Sequence, residues 1–95
     1  MKELANTLEL IKENDTNYDE RYLLVFKAVY LALANGFDAG IRPDINELKW
    51  PVVYIELPTG QVSWHMPQHI SPWDGHDTDE KYRRVDEFCR LYGSD

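Results

Sequence analysis

The segment from Pro51 to Pro67, PVVYIELPTGQVSWHMP, places two runs rich in β-branched and aromatic residues on either side of a Pro-Thr-Gly sequence. This pattern predicts a β-hairpin. A lone hairpin is not stable in water, so helices must cover it or a second chain must extend it. The hairpin thus restricts the chain to folds in which other elements pack on a small sheet.

Two registers of this hairpin are compatible with the sequence. A three-residue loop of residues 58–60, a type I turn with a glycine bulge, puts Tyr54 opposite Trp64. A two-residue loop puts Ile55 opposite Trp64 and segregates the apolar side chains onto one face, namely Val53, Ile55, Leu57, Val62, Trp64 and Met66. Turn chemistry favours the first register, which we prefer, and hydrophobic segregation favours the second. Because strand side chains alternate, both registers put the same two polar residues on one face, Ser63 and His65.

The beginning of the chain predicts an amphipathic helix. Between Lys2 and Glu13, apolar residues recur at helical spacing with charged residues between them, namely Leu4, Leu8 and Ile11. This helix has one apolar stripe to bury against the rest of the domain.

A second helix is predicted from about Tyr18, where Asn17 and Glu20 fit a capping box. Its body is apolar on nearly every face as far as Ala34, which indicates a central core helix or one shared with a partner subunit. Gly36 supplies the left-handed residue that ends it.

The remaining sequence predicts a loop and a third helix. Residues 38–43 are interpreted as a loop because they contain a glycine and a proline. Asp77 and Glu80 fit another capping box, which opens a helix that ends at Gly93 and carries the stripe Tyr82, Val85, Phe88, Cys89 and Tyr92. The prediction is therefore a small α+β domain over residues 1–95, with two N-terminal helices, a β-hairpin and a C-terminal helix packed on it.

Composition narrows the possible functions. The chain has 95 residues and a net charge of −7, so it lacks the positive charge that binding to duplex nucleic acid requires. The single cysteine rules out an internal disulfide, and the chain opens without an apolar signal core, so we expect a cytoplasmic protein. No window is long and apolar enough to span a membrane. A domain this small buries a modest fraction of its surface, so a homo-oligomer is a reasonable expectation.

The stretch from Ser63 to Arg84 holds all three histidines and two of the three tryptophans. His65, His69 and His76, with a neighbouring carboxylate, have the ligand types of a zinc site with an open position. Their spacing is unlike that of sites such as HExxH, which pair ligands on one rigid element. We therefore expect these histidines to hydrogen-bond or pack, and we expect no cofactor.

The same stretch contains a basic cluster near the start of the last helix. Lys81 and Arg84 are one helical turn apart and share a side, whereas Arg83 points elsewhere. Basic residues at a helix start oppose the helix dipole, which favours a specific anionic partner. The alternative is that they form salt bridges with neighbouring acidic residues, Asp77, Asp79 and Glu80.

The tryptophans also have two interpretations each. Trp64 on the hairpin and Trp73 after it offer flat surfaces for a ligand or a partner, or they pack in the core. The candidate ligand-binding set is therefore Ser63, Trp64, His65, Trp73, Asp74, His76, Lys81 and Arg84.

Nucleophilic catalysis has little support. Ser63 and His65 share a strand face, but no glycine-framed nucleophile elbow surrounds the serine. Cys89 lies on an apolar stripe and is expected to be a buried core thiol. No catalytic residue is assigned.

The segment from Pro51 to Arg84 resembles a family of small, largely uncharacterised proteins encoded by bacteriophages and prophages. In that family a PTGQVSWH hairpin precedes a WDGHxTxEKYRR helix start. The matching positions in this chain are Ser63, Trp64, His65, Trp73, Asp74, Gly75, His76, Lys81, Tyr82, Arg83 and Arg84. The resemblance implies a viral accessory protein in the cytoplasm of a bacterial host, and it implies no activity.

The leading functional hypothesis is non-enzymatic binding. The partner would be a host protein or a small anionic ligand such as a signalling nucleotide, and binding would counter host defence. Two alternatives stay open: a metal-dependent phosphoester hydrolase that uses the histidine and aspartate cluster, and a structural or assembly protein of the virion.

Overall fold

The computed structural model describes residues 1–43, 51–65 and 78–93. Over these residues the chain forms three helices and a three-stranded antiparallel sheet in the order β1-β2-β3. In chain order the elements are α1 (Lys2–Glu13), α2 (Tyr18–Ala34), β1 (Ala39–Arg42), β2 (Val52–Leu57), β3 (Gly60–His65) and α3 (Thr78–Tyr92). The predicted α+β class is confirmed.

The first helix has the predicted bounds and buries the predicted stripe. Leu4, Leu8 and Ile11 are fully buried. The helix packs on α2 and α3, and Lys12 Nζ lies 2.8 Å from an Asp86 carboxylate oxygen on α3. Helix α1 therefore joins the two helices that pack on the sheet.

Helix α2 also has the predicted bounds, but its predicted capping box is wrong. The backbone of Asn17, with φ −95° and ψ 84°, departs from the extended conformation of a typical N-cap, and its side chain makes no capping hydrogen bond. The predicted end of the helix is confirmed, because Gly36 adopts φ 84°. One face of α2 is buried through Val25, Ala28 and Ala32.

The interpretation of residues 38–43 as a loop is wrong, because strand β1 lies there. Gly40 pairs with Tyr54 and Arg42 with Val52, and the Asp38 carbonyl accepts a 2.8 Å hydrogen bond from the Glu56 amide. The strand is short and its own apolar pattern is weak, so its conformation follows from pairing with β2. It extends the hairpin within the same chain.

Both predicted hairpin registers are wrong. Strand β2 pairs with β3 so that Leu57 lies opposite Gly60 and Val53 lies opposite Trp64. The loop is therefore the two residues Pro58 and Thr59. Gly60, with φ 132°, belongs to the strand and lets the turn close one residue earlier than either prediction assumed.

The predicted segregation of apolar side chains is confirmed for the described strand residues. One face of the sheet carries buried Val53, Ile55, Leu57, Val62 and Trp64, and these join a single core with the helices. The opposite face carries half-buried polar side chains, among them Ser63 and His65 as predicted. Met66 lies outside the described residues.

Helix α3 buries the predicted stripe through Tyr82, Val85 and Phe88, and Cys89 and Tyr92 pack half-buried against the core. The helix ends at Tyr92, next to the predicted Gly93. The predicted cap at Asp77 lies outside the described residues. Within the part of the chain that the structure describes, no helix is long and apolar enough to cross a membrane.

Candidate functional site

The structure describes five of the eight candidate binding residues: Ser63, Trp64, His65, Lys81 and Arg84. The other three lie outside the described residues, namely Trp73, Asp74 and His76. His69 of the hypothetical zinc site also lies outside them. The geometry of the site is therefore that of β3 and α3, the two elements that flank residues 66–77.

Helix α3 covers the outer edge of the sheet. Among the described strands β3 lies at the edge of the sheet with β2 as its neighbour, and every second carbonyl of an edge strand points away from that neighbour. Arg84 Nη1 donates a 2.6 Å hydrogen bond to the carbonyl of Gln61, and Lys81 Nζ donates a 3.3 Å hydrogen bond to the carbonyl of Ser63. We call these contacts between β3 and α3 the edge clasp.

The hairpin turn is part of the edge clasp. Thr59 Oγ1 donates a 2.8 Å hydrogen bond to the carbonyl of Arg84. The Arg84 side chain lies across Gly60, where an added Cβ would come within 2.8 Å of Arg84 Cδ. The turn and the helix therefore pack closely at residue 60, where an added side chain would require Arg84 to move.

The two candidate anion-binding cations do share a side of α3, as predicted, and that side faces β3. Lys81 donates to the Ser63 carbonyl and Arg84 to the Gln61 carbonyl of β3, and Arg84 Nε also lies 3.4 Å from a Glu80 carboxylate oxygen. Arg83 points elsewhere, as predicted, and lies 2.6 Å from Glu80 and 3.6 Å from Glu87. The Arg83 hydrogen bond lowers the pKa of Glu80. Lys81 and Arg84 thus each join α3 to strand β3 in this structure.

Trp64 is a core residue. It is 2% exposed, and its Nε1 donates a 3.4 Å hydrogen bond to the Tyr82 hydroxyl. The Lys81 ammonium lies 5.4 Å from the centre of the Trp64 ring and 5.1 Å from that of Tyr82, within the range of a cation–π contact. A ligand cannot stack on the Trp64 indole while it lies in the core.

A buried polar network extends from Trp64 to the turn between the first two helices. The Tyr82 hydroxyl donates to an Asp15 carboxylate oxygen, and burial together with this hydrogen bond raises the pKa of Tyr82. Arg21, which is 2% exposed, lies 3.7 Å from the same carboxylate oxygen through Nη1. This network was not predicted from the sequence, in which Arg21, a cation that interrupts the apolar run of α2, was the available signal.

A second polar network covers the sheet face that carries Ser63 and His65. The Tyr54 hydroxyl, on the strand residue paired with Ser63, donates a 3.1 Å hydrogen bond to Asp38, which raises the pKa of Tyr54. The Arg42 guanidinium lies 5.3 Å from the centre of the Tyr54 ring. This face is polar and internally hydrogen-bonded.

Metal and thiol chemistry gain no support from the described residues. Residues 1–43, 51–65 and 78–93 contain no group of three side chains placed to hold a metal ion, and of the three histidines only His65 is among them. The zinc site remains a hypothesis.

Cys89 is half-buried, burial raises its pKa to about 11, and its Sγ lies 3.3 Å from the carbonyl of Ala5. Such a thiol is a poor nucleophile at neutral pH.

Comparison with known proteins identifies the family. A model of the WDGH domain matches residues 6–88, a region that includes the tetrapeptide Trp73-Asp74-Gly75-His76. Searches among curated proteins and among solved structures find no match. Because the family model spans most of the chain, this protein belongs to the WDGH domain family.

Proposed function

We propose that the chain is a non-enzymatic binding protein whose recognition residues lie in the segment 66–77. The observation that carries the proposal is the hydrogen bond from Lys81 to the carbonyl of Ser63. It joins β3, which ends at His65, to α3, which begins at Thr78. The two ends of the segment are thereby held by rigid elements, an arrangement that proteins often use to present binding residues.

The composition of the segment supports recognition. It contains Trp73, Asp74 and His76, which fall within the region matched by the family model. Tryptophan is enriched among the residues that contribute most to binding at interfaces, and a neighbouring carboxylate and imidazole supply directional hydrogen bonds. Trp64 and Tyr82, by contrast, are buried in the core. The proposed roles therefore divide between the clasp, which holds the segment, and the segment, which recognises a partner.

A protein partner is favoured over a small anion. An anionic ligand such as a signalling nucleotide would need cations directed at it, but Arg84 and Lys81 contact carbonyls of β3. The chain also carries a net charge of −7, which repels anions at long range. The chain also resembles phage-encoded sequences. We therefore propose that the partner is a host protein in the bacterial cytoplasm and that binding interferes with host defence.

The test compares three variants of the whole chain: Trp73→Ala, His76→Ala and, as a matched control, Leu91→Ala. Leu91 is a half-exposed apolar residue on α3. Proteins captured from a bacterial lysate by the wild-type chain are purified, and their affinity for each variant is measured by calorimetry. The proposal predicts a loss of at least about tenfold for Trp73→Ala and an unchanged affinity for Leu91→Ala. Equal binding by wild type and Trp73→Ala would contradict it. If the chain binds a signalling nucleotide and no protein, its partner is the small ligand and not a host protein.

A further inference from the structure

Helix α2 has a second apolar face that the fold leaves exposed. Leu23 is 66% exposed, Tyr30 72% and Leu33 53%, and half-buried Phe26 lies between them in sequence. These four residues follow one another at spacings of three, four and three. That is the spacing of the core positions of a coiled coil, so they form one stripe along the helix. We call them the α2 stripe.

We propose that the α2 stripe is a homodimer interface, in which it packs against the α2 stripe of a second copy in antiparallel orientation. A stripe with this spacing is self-complementary, because the side chains of one helix fit the gaps between those of the other. A two-fold axis beside the stripe, level with residue 28 along the helix, would place Leu23 opposite Leu33 of the second copy and Phe26 opposite Tyr30 of the second copy. No residue of this interface belongs to the recognition segment of the proposed function.

The charges at the ends of α2 favour the antiparallel orientation. Asp19 and Glu20 lie in the first turn, and the last turn has no basic residue. A parallel pair would bring the acidic first turns of the two copies together, and like charges at that distance repel. The antiparallel pair separates them, and it also opposes the two helix dipoles.

The charges beside the centre of the stripe are complementary across the proposed axis. Lys27 lies on the flank of the stripe near its middle, and its Nζ is 3.8 Å from a Glu3 carboxylate oxygen on α1. Both side chains are more than half exposed. A two-fold axis next to this pair would place each lysine near the glutamate of the other copy. The four charges would then alternate in sign, which fixes the register of the two helices.

The area of the stripe sets the expected strength of the dimer. The exposed parts of its side chains amount to on the order of 400 Å² per copy, given the area that large apolar side chains bury when covered. Two copies then bury roughly 800 Å² from the stripe, which is below the roughly 1,200 Å² at which stable specific interfaces begin and within the range of weak, transient ones. The dimer should therefore be reversible and concentration-dependent.

Sedimentation velocity of the whole chain over roughly 5–500 μM tests the proposal. Wild type should shift from monomer to dimer across this range. Tyr30→Lys should stay monomeric, and Leu91→Lys, at an exposed apolar position on α3, should dimerise like wild type. Circular dichroism and thermal unfolding show whether each variant is folded. A wild type that stays monomeric throughout, or a dimer that survives Tyr30→Lys, overturns the proposal.

A charge-exchange experiment tests the orientation and distinguishes an interface from a role in folding. A Glu3→Lys dimer has four positive charges beside the axis, and a Lys27→Glu dimer has four negative charges. Each variant alone should dimerise at least about tenfold more weakly than wild type, since like charges meet. An equimolar mixture of the two should restore dimers. If the mixture is no more dimeric than the separate variants, the antiparallel arrangement is wrong.

Discussion

Arg84 occupies the space that a side chain at Gly60 would need. The guanidinium of this helix residue crosses the start of β3 to reach the Gln61 carbonyl at 2.6 Å, and a Cβ on Gly60 would meet Arg84 Cδ at 2.8 Å. The first residue of the strand and the second turn of α3 are thus matched to one another.

Gly60→Ala should destabilise the fold for two separate reasons. The backbone has φ 132°, which L-residues rarely adopt, and the methyl group collides with Arg84. We expect a loss of about 2–3 kcal/mol in the free energy of unfolding, measured by urea denaturation. Gly36→Ala is the control, because Gly36 also has a positive φ but no neighbour within 4 Å. Arg84→Ala removes the colliding side chain, so Gly60→Ala should cost less free energy of unfolding in the Arg84→Ala background than in wild type. If the two losses are strictly additive in the double variant, the contact is unimportant.

Arg84→Met should destabilise the chain more than Arg83→Met. Arg84 donates to a strand carbonyl, whereas Arg83 pairs with exposed carboxylates on its own helix. We expect a loss of about 1–2 kcal/mol for Arg84→Met, which retains most of the apolar stem. The loss for Arg83→Met should stay below about 0.5 kcal/mol, as is usual for surface ion pairs. Urea denaturation of both variants checks this, and equal losses would contradict the edge clasp.

Tyr82→Phe should weaken the fold although it removes a single atom. The hydroxyl accepts from Trp64 Nε1 and donates to Asp15, so its loss leaves the buried indole N–H without this acceptor. A cost of about 1–3 kcal/mol follows from an unsatisfied buried group. Tyr92→Phe on the same helix serves as the comparison and should cost less. Denaturation monitored by Trp64 fluorescence would be confounded by the other tryptophans, so far-UV circular dichroism is the better measurement.

Cys89 should react slowly with iodoacetamide in the native state. Burial raises its pKa from 9.0 to about 11, so at pH 8 the native thiolate fraction is lower than in the unfolded chain by on the order of 100-fold. The alkylation rate in buffer and in urea, followed by mass spectrometry, measures this difference. Equal rates in the two states would show that the thiol is not protected.

The same pKa shift makes stability depend on alkaline pH. Because the folded state holds the Cys89 proton more tightly, the contribution of this group is fully present below about pH 9 and is lost as the pH rises towards 11. The free energy of unfolding of wild type should therefore fall more steeply over this range than that of Cys89→Ala. Urea denaturation at pH 8 and pH 10 checks the difference in slope.

The helices were predictable from sequence because their information is local. The spacing of Leu4, Leu8 and Ile11 along α1 matches the face that the structure buries, and Gly36 ends α2 at the expected place. Strand β1 was missed because its conformation depends on pairing with β2, which is distant in sequence. The hairpin register failed for a related reason, since Gly60 has the backbone freedom to serve in a loop or in a strand.

The candidate site was predictable only in part. Helical spacing correctly placed Lys81 and Arg84 on one side of α3, but their acceptors are main-chain carbonyls, and every residue has one. A sequence pattern does not indicate which carbonyl will face a neighbouring helix. The hydrogen bond from Tyr82 to Asp15 could not be predicted from local patterns either, because it joins residues 67 positions apart.

The contact between Asp15 and Tyr82 also affects how this protein can be made on the ribosome. Helix α1 and the turn after it emerge from the ribosome before their partners on α3, and Lys12 emerges 74 residues before Asp86. The apolar face of α1 therefore stays uncovered by α3 until that helix has been synthesised. Completion of the core therefore depends on contacts between residues that are distant in sequence. A chain truncated before α3 leaves the apolar face of α1 exposed, which favours aggregation.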